Sequence, residues 1–120
     1  MAQELTHFIG GKKVSGTSGR FGNVFWPMTG EVAARVPLAS VAEIDKAVQN
    51  ARSAQPAWAA TNPQRRARVL ARFVDLLNRD MDKLADALAR EHGKTVPDAK
   101  GDFQRGLEVC EFATGIPHLM

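Results

Sequence analysis

The hydrophobic period of the chain changes at Ser40, and that change most constrains what it can fold into. Before it, Val24 and Trp26, then Val32, Ala34 and Val36, alternate with other residues, the period of two that marks strands. After it, apolar residues recur every three or four positions, the period of helices packed on one face. The chain is expected to be mainly α with β-hairpins at its N-terminal end.

Residues 1–39 make the expected hairpin region and residues 40–120 three helices. Gly10-Gly11 turns a first hairpin between Phe8-Ile9 and Val14,. Ser15 to Asn23 is a turn-rich connector, in which Gly16, Gly19 and Gly22 are expected to supply positive φ,. Pro27-Met28-Thr29-Gly30 turns a second hairpin.

Ser40-Val41-Ala42-Glu43 is a capping box, each end satisfying a backbone N–H left over at a helix start,. Ile44, Ala47, Val48 and Ala51 then share a face until Pro56, which is expected to end the first helix,. Asn62-Pro63 opens the second,. Its stripe runs through Leu70, Phe73, Val74, Leu77, Met81, Leu84 and Leu88, with a kink at Asn78-Arg79-Asp80 and an end at Gly93,. The third begins near Pro97, buries Phe103, Leu107, Cys110 and Thr114, and is closed by Pro117.

Composition removes several function classes. A net charge of +3 over 120 residues is too small and too scattered for a nucleic-acid partner,. The single cysteine, Cys110, excludes an internal disulfide and fits a reducing compartment,. Met1 to Thr6 has neither the charge nor the apolar run of a leader peptide, and no stretch approaches the roughly 18–20 apolar residues of a membrane span,. A cytoplasmic location without a membrane partner is the expectation. The apolar end at Leu119-Met120 and the uncovered strand edges point to the front part of a larger protein,.

Most motifs have ordinary readings. His92-Gly93-Lys94-Thr95 contains the Gly-Lys-Thr of a phosphate loop, but Leu88 stands where that loop needs glycine and the triplet closes a helix,. Gly16, Gly19 and Gly22 do not match the dinucleotide spacing, and no helix follows them,. His7, His92 and His118 with one cysteine make no zinc spacing,. Cys110 lies late on an apolar helix stripe, away from the positive helix end that activates a thiol, and is read as packing,. Arg65, Arg68 and Arg72 share a face, with Arg66 nearby. A solvated or subunit-facing surface is the ordinary reading, and a phosphate-binding stripe the sharper one,.

Arg105 is the more pointed cation. It lies off the Phe103/Leu107/Cys110 stripe, beside Gly106, whose missing side chain leaves access to the guanidinium. The planar fork of arginine suits a carboxylate. An exposed pair with Asp102 or Glu108 is the ordinary alternative.

Taken in order, several phrases resemble the N-terminal part of the aldehyde dehydrogenase superfamily. Phe8-Ile9-Gly10-Gly11-Lys12 is similar to its opening strand, and Pro27-Met28-Thr29-Gly30-Glu31 to its P-x-T-G-E turn. Val41 to Trp58 resembles its V-x-x-A-x-x-A-F-x-x-W helix, and Glu91-His92-Gly93-Lys94-Thr95 its E-x-G-K helix end. Asp98-Ala99-Lys100-Gly101-Asp102-Phe103-Gln104-Arg105-Gly106-Leu107-Glu108-Val109-Cys110-Glu111 resembles the D-A-x-G-D-V-x-R-G-L-x-V-V-E of the CoA-acylating methylmalonate-semialdehyde dehydrogenase branch. Phe103 and Cys110 depart from aliphatic positions there, and His92 from a common glutamine.

The resemblance implies the first part of an α/β cofactor-binding domain in an enzyme that uses NAD and CoA. Such an enzyme converts methylmalonate or malonate semialdehyde to an acyl-CoA in valine catabolism. A cysteine thiolate would attack the aldehyde, an oxyanion hole would stabilise the adduct, and hydride would leave to the nicotinamide. The family's nucleophile, oxyanion-hole asparagine and nucleotide turn match nothing in this chain, which alone is expected to hold no cofactor and show no turnover. Arg105 matches the arginine associated in that branch with the substrate carboxylate. The whole enzyme is expected to be a homo-oligomer. Another aldehyde dehydrogenase branch, or a stand-alone non-catalytic helical interaction module, are the rival readings.

Overall fold

Among the described residues, those up to Ala60 build five short strands and one helix. The computed structural model describes residues 2–120, and its strands are β1 (Gln3–Glu4), β2 (His7–Ile9), β3 (Lys12–Val14), β4 (Phe21–Phe25) and β5 (Val32–Pro37). Gly10 and Gly11, at φ 60° and 74°, make the two-residue turn whose twist suits an antiparallel pair. His7 then faces Val14, Phe8 faces Lys13 and Ile9 faces Lys12. The second hairpin pairs β4 with β5 from Phe21↔Pro37 to Phe25↔Val32, irregular between Val24 and Phe25. Its turn is closed by the Trp26 N–H donating to the Glu31 carbonyl at 2.8 Å and by Gly30 at φ 73°.

One strand was not expected. β1 runs parallel to β5, Gln3 opposite Ala34 and Glu4 opposite Arg35, so one edge of the second hairpin is covered within the chain. Two polar residues carry no alternation, which leaves the pairing invisible to a pattern argument. Arg35 on the central strand reaches Glu4 at 3.5 Å and lies over the Phe21 ring at 4.5 Å, linking three strands,.

The three connector glycines differ from expectation. Only Gly19 has positive φ, at 68°. Gly16 is required by space, since a Cβ there would stand 2.5 Å from Cβ of Pro37, and Gly22 lies inside β4.

Helix α1 (Val41–Ala60) begins at the predicted capping box. Ser40 Oγ accepts the Glu43 N–H at 3.3 Å, and Glu43 Oε2 accepts the Ser40 N–H at 2.7 Å. The helix does not stop at Pro56 but runs through it to Ala60. Proline removes one backbone bond and crowds the preceding turn, and because no residue of α1 is buried, the adjustment displaces no core side chain.

The chain divides into two compact units at Ala60/Thr61. The second unit contains α2 (Pro63–Arg79), α3 (Met81–His92), α4 (Val96–Thr114) and a 3-10 turn (Ile116–Leu119), so the described residues form four α-helices where three were expected. Asn62 caps α2 as predicted, its Oδ1 accepting the Gln64 N–H at 2.9 Å. At the expected kink the helix breaks outright. Asp80 takes φ −103° and ψ 14°, outside helical values, while its carbonyl accepts the Leu84 N–H of the next helix at 2.9 Å. Arg79 holds its carboxylate through two contacts, Nε–Oδ1 at 3.0 Å and Nη2–Oδ2 at 2.7 Å. Gly93, at φ 80°, ends α3 as predicted. Helix α4 stops at Thr114, and Pro117 sits within the 3-10 turn rather than ending the helix.

Helix α4 packs against both α2 and α3. The buried residues there are Ala67, Ala85, Ala89, Ala99 and Leu107. Small side chains at the helix contacts let backbones approach, so the expected stripe of large residues is only half-buried, and Phe73 remains 46% exposed. Lys100 Nζ reaches Asp82 Oδ1 at 2.6 Å and ties α4 to the start of α3.

Candidate functional site

The site is built where α3 hands over to α4. Gly93 turns the chain, its N–H donating to the Ala89 carbonyl at 2.8 Å, and delivers Lys94 to the start of the next helix. Thr95 caps that helix through Oγ1, which accepts the Asp98 N–H at 3.4 Å. Asp98, Asp102 and Arg105 then follow at spacings of four and three, which puts them along one face,. Lys94 lies just before that face and points its ammonium along it.

Lys94 Nζ contacts Asp98 Oδ2 at 2.9 Å and donates to Asp102 Oδ2. Its side chain is only 15% exposed, against 38% for Asp102 and 78% for Arg105. Arg105 Nη2 stands 3.6 Å from Asp102 Oδ1, inside ion-pair range but beyond a hydrogen bond. The hydrogen bond from Lys94 holds the Asp102 carboxyl below the usual carboxylate range, and burial opposes it less strongly. The same bond, with a second one to Asp98, raises the Lys94 ammonium. Both groups are therefore charged at neutral pH.

A Cβ added at Gly101 or at Gly106 would meet nothing within 4 Å. A helical side chain leans back over the preceding turn, so Arg105 lies toward the bare surface at Gly101. Arg105 pairs with Asp102, the ordinary alternative expected from the sequence, whereas Lys94 and Asp98 were not expected to join them. The i,i+4 spacing of Lys94 and Asp98 was a usable signal. The reach of Lys94 to Asp102, eight residues on, was not.

The other candidates stay apart from this cluster. Cys110 is a free, half-buried thiol on α4. Arg65, Arg68 and Arg72 are exposed on α2, while Arg66 is half-buried with Nε enclosed and without a hydrogen-bond partner. Gly16, Gly19 and Gly22 lead into or lie in a strand, and Gly93 ends a helix, so neither group fits a dinucleotide turn. Among the described residues no group of three His, Cys, Asp or Glu side chains could hold a metal ion. No helix there is long and apolar enough to cross a membrane.

Comparison with known proteins bears on the family of the chain. The aldehyde dehydrogenase family model matches residues 13–120. Malonate-semialdehyde dehydrogenase 3 of Geobacillus kaustophilus is 48% identical over 97% of this chain and 24% of its own length. Among solved structures, one described as a methylmalonate-semialdehyde dehydrogenase from Sinorhizobium meliloti 1021, complexed with NAD, is 65% identical. Its TM-score is 0.93, over 99% of this chain and 24% of that one. The methylmalonate-semialdehyde dehydrogenase of Oceanimonas doudoroffii is 41% identical with a TM-score of 0.83, over 99% of this chain and 24% of that one. The chain thus spans about a quarter of the length of these relatives. The phrases that suggested the family, the strand-and-helix order, and a match over residues 13–120 agree: the chain belongs to the aldehyde dehydrogenase family.

Proposed function

We propose that the intact protein carrying this chain is an NAD-dependent, CoA-acylating dehydrogenase. Its substrate is malonate or methylmalonate semialdehyde, as in valine catabolism, and this chain contributes the contact for the substrate's carboxylate. The observation that carries the reading is Arg105, a 78% exposed guanidinium whose neighbouring carboxylate stands 3.6 Å away. It keeps donors free for an incoming anion, and two parallel N–H bonds to one carboxylate would fix the semialdehyde's orientation. The names of the Geobacillus and Sinorhizobium relatives support the substrate class.

NAD accompanies the Sinorhizobium relative, but the glycines of this chain do not fit its phosphate turn, so the part played here is confined to the substrate's acid group. The chain alone is proposed to be inactive, since the family's nucleophile and oxyanion hole match none of its residues. We propose that the intact enzyme is a cytoplasmic homo-oligomer; the one free cysteine of this chain fits a reducing compartment,.

The test is Arg105→Leu in the intact protein. A hydrogen bond to a charged group contributes about 1.5–3 kcal/mol, so kcat/KM for malonate semialdehyde should fall by about 10- to 100-fold. That for propanal should hold. Equal losses for both aldehydes would overturn the carboxylate role.

A further inference from the structure

The position of Asp102 raises a question that Arg105 alone does not answer. An aspartate three residues before an arginine on one helix face is well placed to close on it. A closed pair would occupy the guanidinium and set a negative charge where a substrate carboxylate must arrive. Yet their contact is only a loose ion pair, 3.6 Å at its nearest and without a hydrogen bond, and Arg105 remains 78% exposed,. What holds Asp102 back is on its other side, where its Oδ2 accepts from the shielded ammonium of Lys94.

We propose that Lys94 is a positioning residue for substrate recognition: by holding the Asp102 carboxylate, it keeps Arg105 open to the carboxylate of the semialdehyde. The inference rests on the reading of Arg105 given above. Lys94 acts in two ways. It competes with Arg105 for Asp102, with the advantage of lying 15% exposed, where water screens the contact less,. It also offsets the negative charge of Asp98 and Asp102, which would otherwise repel an approaching anion. The hydrogen bond from Lys94 also lowers the Asp102 carboxyl further below its ordinary value.

The experiment measures kcat and KM in the intact protein with NAD and CoA, using malonate semialdehyde and propanal. Lys94→Met frees Asp102 to close on Arg105. With about a tenth of the molecules left open, KM for malonate semialdehyde rises about tenfold, while its kcat and both constants for propanal hold. Lys94→Met combined with Asp102→Asn returns that KM to the starting value, which a merely structural lysine would not do. Asp102→Asn alone lowers KM for malonate semialdehyde by about two- to threefold, and serves if Lys94→Met does not fold.

Equal losses for both aldehydes in Lys94→Met, no recovery in the double variant, or an unchanged or raised KM in Asp102→Asn would each overturn the proposal. Arg105→Leu separates the two readings. If it discriminates between the aldehydes and Lys94→Met does not, only the role of Lys94 fails. If Arg105→Leu does not discriminate, the assignment of Arg105 fails as well.

Discussion

Oε1 of Glu43 accepts the backbone N–H of Thr17 at 2.6 Å, so one side chain in the first turn of α1 ties down a loop 26 residues earlier. The same carboxylate accepts the Ser40 N–H at 2.7 Å and the Ser40 hydroxyl at 2.8 Å. A local capping device has thereby become a long-range one.

Glu43 gives a pH prediction with a definite sign. Bonds from Ser40, first, and Thr17 hold its carboxyl at about 2, below its ordinary 4.5. A carboxyl with a lowered folded-state pKa contributes stability that is complete above its unfolded value and is lost as pH falls through its folded one. The wild type should therefore lose thermal stability between pH 4.5 and about 2 more steeply than Glu43→Gln, and should be the more stable of the two at pH 7. Unfolding midpoints taken across that window check it; parallel curves would contradict it.

Two glycines should respond to alanine with opposite signs. At Gly16 the new Cβ would meet Cβ of the buried Pro37 at 2.5 Å, and a proline ring cannot rotate away, so Gly16→Ala should cost about 1–3 kcal/mol. At Gly101, inside α4 with nothing within 4 Å, alanine removes backbone freedom from the unfolded chain and should stabilise by about 0.5–1 kcal/mol. Denaturant unfolding of both variants reads the two signs directly.

The buried packing of the second unit should tolerate neither growth nor loss of a side chain. Ala85 is fully buried on α3, so Ala85→Leu should cost about 1–3 kcal/mol by overpacking,. Leu107, 3% exposed on α4, is the large buried side chain there, and Leu107→Ala should cost about 2–5 kcal/mol,. Calorimetric midpoints that stay within a degree of wild type would contradict the packing described.

Of the candidate site, Arg105 stood out in the sequence as an arginine beside glycine, off the apolar stripe. The residues alone favoured a pair with Asp102 or Glu108, and only the family resemblance turned it toward a carboxylate ligand. What holds Asp102 was not legible. Lys94 attracted notice only for its resemblance to a phosphate loop, and its bond to Asp102 depends on how the Gly93 turn aims the chain into α4.

The sequence by itself determined the devices whose donor and acceptor lie within about four residues of each other. These are the Ser40/Glu43 box, the Asn62 cap, the Gly10-Gly11 turn and the Gly93 helix end. Each is a local geometric demand that few residue types meet. Only the tertiary structure decided the rest: the parallel pairing of β1 with β5, the passage of α1 through Pro56, the break at Asp80, and a core of alanines rather than of the large apolar stripe. Those outcomes depend on what stands opposite each residue, and a periodic pattern names a face without naming its neighbour.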